Sequence, residues 1–122
     1  MAAKFKVGMT GSRHYMPRHI MWPVLDEYFD NNPNMLLIVG DADGVDAIAI
    51  EWAELRGCPY KKYEADWSIG RAGGSQRNSR MVNENSDADV WLAFPLPSSV
   101  GTFDCIRKAK AKGIEVREFP FV

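Results

Sequence analysis

Four short stretches of this sequence carry residue types that grip phosphate. Thr10-Gly11-Ser12-Arg13 offers a glycine whose neighbouring N–H groups can approach an anion, and an arginine able to pair with two phosphate oxygens at once. Gly40-Asp41-Ala42-Asp43-Gly44-Val45-Asp46 opens a helical pattern, and helix N-termini present free N–H groups to phosphate. Its carboxylates have two readings. Asp43 and Asp46 can accept hydrogen bonds from ribose hydroxyls, or serve only as N-cap and dipole partner. Asp66-Trp67 leads into Gly70-Arg71-Ala72-Gly73-Gly74-Ser75-Gln76-Arg77-Asn78, where Trp67 can stack on a base and Arg77 and Asn78 sit near a helix start. In Pro95-Leu-Pro-Ser98-Ser99-Val-Gly101-Thr102, Ser98, Ser99 and Thr102 supply hydroxyls and Gly101 permits close approach.

Other chemistries are missing a required residue. A calcium loop counted from Asp41 needs glycine sixth and glutamate twelfth, but those places hold Asp46 and Trp52. No lysine precedes a serine or threonine as a P-loop requires. His14 and His19 lack cysteine or acidic partners at metal-ligand spacing, so no metal site and no cofactor are expected. There is no Gly-x-Ser-x-Gly elbow for a serine hydrolase. The net charge of -1 supplies no global field for duplex DNA or an anionic membrane, which argues against a nucleic-acid partner. No apolar run reaches the roughly 20 residues of a bilayer span. The start runs directly into a strand pattern, so no leader peptide is expected. Cys58 and Cys105 read as two reduced thiols in a cytoplasmic protein.

The elements that must position these stretches alternate. At 122 residues the chain fits one domain, residues 1–122, with a core of its own. Strands are predicted at Phe5–Met9, Met35–Val39, Tyr60–Glu64, Ala88–Phe94 and Glu115–Phe119. Helices are predicted at Pro17–Asn31, Val45–Arg56, Gln76–Asn85 and Gly101–Lys112, from apolar residues at spacings of three and four and from glycine stops such as Gly57. Residues 65–75 read as a long connection. Alternation of this kind gives parallel βαβ units with right-handed crossovers. The predicted fold is therefore α/β: a Rossmann-like open parallel sheet of five strands in the order 3-2-1-4-5, with helices on both faces. Ligands of such sheets sit beyond the carboxyl ends of the strands, at the switch point, and the four stretches are expected to converge there. Trp22, Trp52 and Trp91 exceed what this core is expected to need, which predicts a homodimer.

Taken in order, Gly11-Ser-Arg13, Gly40-x-Ala-x-Gly-Val-Asp46 with Ala49, Ala65-Asp-Trp67, Gly70-x-Ala-Gly73, Arg77-Asn78 with Met81, Leu92-Ala-Phe94 and Ser99-x-Gly-Thr102 resemble the YspA-type branch of the SLOG superfamily. The resemblance covers nearly the whole chain. It implies a Rossmann-like fold and a nucleotide or NAD-derived ligand, bound by a sensor or sequestering module. The superfamily is related to the Lonely Guy phosphoribohydrolases and to the single-strand-binding DprA proteins. The first of these implies an alternative activity, cleavage of an N-glycosidic bond in a nucleoside monophosphate, with Asp104 as the catalytic carboxylate. The Lonely Guy motif has two glycines where this chain has Ser98 and Ser99, and Cys105 replaces one of its acidic residues. Single-stranded nucleic-acid binding through Trp67, Arg71, Arg77 and Arg80 is the third reading.

Overall fold

The computed structural model describes residues 4–14 and 18–120. Within them the chain alternates as the apolar patterning requires: β1 (Phe5–Gly11), α1 (Arg18–Asn31), β2 (Met35–Gly40), α2 (Val45–Arg56), β3 (Tyr60–Tyr63), α3 (Arg71–Glu84), β4 (Val90–Phe94), α4 (Val100–Ala111) and β5 (Val116–Glu118). A single 3-10 turn, Trp67–Ile69, precedes α3. The strands form one parallel sheet in the order β3-β2-β1-β4-β5, with β1 at its centre. Pro17, predicted to start α1, lies outside the described residues.

Side chains on a strand alternate between the two faces, and each face here has its own core. Val7, Met9, Leu37, Val39, Leu92 and Phe94 pack under α1 and α2. Ile38 and Trp91 face the other way, against Met81 and Val82 of α3 and Cys105 and Ala109 of α4. Burying both faces is what makes β2 and β4 continuous apolar runs. Gly57 stops α2 in the left-handed region, with φ 71° and its N–H on the Ala53 carbonyl.

Gly8 follows from that second core. It pairs directly with Trp91 on the neighbouring strand, and a Cβ built at Gly8 would fall inside the fully buried indole ring. Gly8→Ala is therefore expected to destabilise the protein by about 1–3 kcal/mol through overpacking, read from the midpoint of urea unfolding. An unchanged midpoint would show that the ring can move aside.

Three sequence expectations are corrected. β1 runs on through Thr10 and Gly11, because both pair with Ala93 and Phe94. The long loop at 65–75 is mostly ordered structure, since α3 begins at Arg71 and takes in Gly73 and Gly74. Those glycines let the preceding segment lie against the helix: a Cβ on Gly73 would strike the Asp66 carbonyl, and one on Gly74 would press on the Trp67 ring. Finally, the tryptophans offered as surplus aromatic surface are absorbed within one chain. Trp52 and Trp91 are fully buried, Trp52 donates to Asp26 at 2.8 Å, and Trp22 is half-buried with its N–H on the Ile48 carbonyl. Among the described residues no helix is long and apolar enough to cross a membrane.

Candidate functional site

β1 lies between β2 and β4. The chain leaves β1 toward the α1/α2 face and leaves β4 toward the α3/α4 face, so their two exit loops diverge and open a crevice. A cleft of about 400 Å³ occupies this crevice, within the ordinary range for small-molecule sites. All four phosphate-gripping stretches contribute to its wall. Its charged lining is Arg13, Arg71, Arg77 and Arg107 against Asp46 and Asp104, a balance of +2 in a chain whose net charge is -1.

The β1 exit is locked in place by its backbone. Ser12 donates its N–H to the Phe94 carbonyl at 3.1 Å and accepts from the Val45 N–H at 3.0 Å, which joins β4, β1 and the start of α2. The Ser12 hydroxyl accepts the His14 N–H at 2.9 Å. Gly44 makes this approach possible, with φ 75° and no room for a Cβ beside the Ser12–Arg13 backbone. Arg13 then emerges exposed, its guanidinium 4.3 Å above the centre of the Trp67 ring.

Beneath this wall lies a cluster of buried charge. The Arg77 guanidinium donates to Asp41 Oδ1 at 2.8 Å and, through Nε, to Asn78 Oδ1 at 3.0 Å. Asp46 is also buried beside it. Burial pushes the Asp46 carboxyl up to about 6, against the opposing pull of Arg77 and of the Ala42 N–H, which donates to it at 3.1 Å. Asp41 divides its oxygens, since Oδ2 accepts from the Ala65 N–H at 3.1 Å and from Trp67 Nε1 at 3.2 Å. One carboxylate thus ties the end of β2 to α3 and to the tryptophan.

On the opposite wall, α4 begins with no side-chain cap, because the Ser99 hydroxyl instead accepts the Leu96 N–H at 2.9 Å. Gly101 and Thr102 of its first turn line the cleft with Ser98 and Ser99. Asp104 accepts from Lys108 at 2.8 Å and from Asn78 Nδ2 at 3.2 Å. Burial raises its carboxyl, but these donors together outweigh burial and hold it below the ordinary value. Such a group stays ionised at neutral pH, suited to stabilising a nearby cation and unsuited to donating a proton. Cys105 faces the core, where burial pushes its thiol up to about 12, so it supplies no nucleophile.

Gly11, Ser12, Arg13, Asp46, Arg77 and Asn78 thus line the cleft, as do Ser98, Ser99, Gly101, Thr102 and Asp104. Gly40, Asp43, Gly44, Trp67 and Gly73 do not. Gly40, like Gly44 and Gly73, is a close-packing position, where a Cβ would collide with the Arg77 guanidinium. Asp43 is exposed and is not the N-cap of α2, a place taken by Gly44. Trp67 stacks on Arg13, with its N–H engaged by Asp41. Arg77 has two of its three nitrogens committed inside the protein, so it is chiefly the buried counter-charge of Asp41. Arg80 turns away to the Glu64 carbonyl at 2.6 Å. Of the aromatic–basic set considered for single strands, Trp67, Arg77 and Arg80 thus have partners within the chain, and Arg71 is exposed and lines the cleft.

Sequence reasoning missed Arg107 and Ser75 and gave Arg71 only a nucleic-acid role. The signal for Arg71 was Gly70, whose φ of 68° starts α3 there. Arg107 could have been found one turn beyond Asp104, with which it pairs at 3.7 Å. Among the described residues no His, Cys, Asp or Glu cluster is placed to hold a metal ion.

Residues 5–70 match the family model described as the YspA, cpYpsA-related SLOG family. The chain is 40% identical over 121 residues to the Gene 61 protein of Mycobacterium phage D29, covering 93% of this chain and 95% of that protein. No solved structure matches it significantly.

Proposed function

The chain belongs to the YspA, cpYpsA-related SLOG family, and from that premise we propose that its cleft binds a nucleotide or nucleotide-derived phosphate ligand, as a sensor or sequestering module of the cytoplasm. The carrying observation is the charge of the cleft, four arginines against two carboxylates at the switch point of a parallel sheet. Oriented cations and uncapped helix amides are what a phosphate needs in order to exchange water for protein donors. Asp41 already neutralises Arg77, so in this reading the exposed Arg13 and Arg71 make the main contacts with the anion.

A specific observation keeps an enzymatic reading beside this one. Asp104 lines the same cleft as an ionised carboxylate fixed by Lys108 and Asn78. In that reading it stabilises an oxocarbenium-like centre or activates water during N-glycosidic cleavage.

Titration with ADP-ribose, NAD, nucleoside monophosphates and inorganic pyrophosphate, read by calorimetry and by release of free base, separates the two. Binding without base release is the expected result. Arg13→Ala is expected to weaken binding by about tenfold to a hundredfold, the worth of a charge-assisted hydrogen bond. No binding of any of these anions would end the proposal, and base release lost in Asp104→Asn would establish the enzyme instead.

A further inference from the structure

Trp67 presents an unusual combination. It is the partly exposed tryptophan beside the cleft, yet it does not line it. Its ring lies against Gly74 of α3, its N–H is held by Asp41 Oδ2 at 3.2 Å, and its π-face carries the Arg13 guanidinium at 4.3 Å. Asp41 in turn is held by Arg77 at 2.8 Å and by the Ala65 N–H at 3.1 Å. An indole fixed at its edge and on one side is a rigid platform, while an arginine on an exit loop has many rotamers to lose on binding. Stacking removes that freedom in advance and leaves the edge N–H groups of the guanidinium available to an acceptor.

We infer that Trp67 is a positioning residue, which holds Arg13 in place over the cleft to receive an anionic group and does not itself stack on the ligand's base. This inference rests on the anion-binding reading of the cleft and specifies how that site is preorganised. It also separates two ligand parts that a base-stacking tryptophan would combine. If Trp67 acts only through Arg13, its contribution is the same for a bare anion as for a nucleotide. If it stacks on a base, its contribution vanishes with the bare anion.

The test is titration of the parent, Trp67→Ala, Arg13→Ala and the double variant with inorganic pyrophosphate and with ADP-ribose. Trp67→Ala is expected to weaken both probes equally, by about threefold to thirtyfold. The double variant should lose no more than Arg13→Ala alone, since one interaction is being removed twice. Trp67→Phe keeps a ring face without the N–H to Asp41 and should recover part of the loss, and it serves as the variant if Trp67→Ala unfolds. Loss confined to ADP-ribose would overturn the inference in favour of base stacking, and additive losses would overturn it as well. A readout without ligand keeps the two levels apart. Arg13→Ala should move the indole N–H resonance of Trp67 in the free protein. If that resonance moves but the parent binds neither probe, the platform stands and the anion-binding reading fails. An unmoved resonance would overturn the platform itself.

Discussion

Arg77→Ala should cost this protein about 3–5 kcal/mol of stability, the usual penalty for removing one partner of a buried ion pair. In a domain of this size that is on the order of 10–20 °C in the unfolding midpoint. Among the described residues the buried charged side chains are Arg77 and Asp46, and Asp41 and Asp46 both depend on Arg77. Without the guanidinium, Asp41 loses its 2.8 Å partner and Asp46 loses the cation that opposes its desolvation. The carboxyl of Asp46 would then take up a proton more readily still. The penalty should therefore be smaller at pH 5 than at pH 8, because protonation relieves the unpaired charge. Arg77→Lys should restore little, since a single ammonium cannot serve Asp41 and Asn78 together. Calorimetric melts of the three proteins at the two pH values test this. A melting point lowered by only a few degrees, with a large loss of anion affinity, would return Arg77 to the role of a ligand clamp.

That revision marks where the sequence was legible and where it was not. Strand order was readable because strands alternate with helices, so right-handed crossovers place β2 and β3 on one side of β1 and the chain returns across the sheet for β4 and β5. The convergence of four stretches followed from the order, since every one of them exits a strand or enters a helix at the same end of the sheet. Which side chain meets the cleft was not readable, because that depends on contacts between stretches distant in sequence. Arg77 read as a phosphate fork, and its ion pair with Asp41, which lies just past the end of β2, could not be read from the sequence. Trp67 read as a stacking platform for a base, and the Arg13 guanidinium that lies over its ring could not be read from the sequence. The glycines at 73 and 74 read as part of a long connection. They are instead helical and small, because a Cβ on Gly73 would strike the Asp66 carbonyl and one on Gly74 would press on the Trp67 ring.

Asp46→Asn should make the protein more stable at neutral pH while leaving it nearly unchanged near pH 4. The folded carboxyl titrates at about 6, against 3.8 when free. Between those values the folded state keeps a proton that the unfolded state has lost, so stability falls as pH rises through the window. A difference of roughly two between the folded and unfolded values corresponds to about 3 kcal/mol, lost from near pH 4 to a little above pH 6. The carboxyls held low, Asp26, Asp87 and Asp104, have the opposite sign. Their stabilisation is present above the ordinary carboxylate value and is lost as pH falls below it, outside this window. Asparagine fills the same space and cannot ionise, so subtracting the two stability curves isolates Asp46. Urea unfolding of both proteins from pH 4 to 8 supplies the curves. A flat difference would mean that Asp46 titrates normally. A parent more stable than the variant at pH 7 would mean that Arg77, Arg13 and the Ala42 N–H together outweigh burial and the repulsion from Asp41. The same residue lines the cleft, so ionisation at Asp46 opposes any anion there. Binding must be compared between parent and variant at each pH. With ADP-ribose, whose diesterified pyrophosphate has no proton to lose in this range, the variant should bind more tightly than the parent at pH 7. That advantage should close toward pH 5.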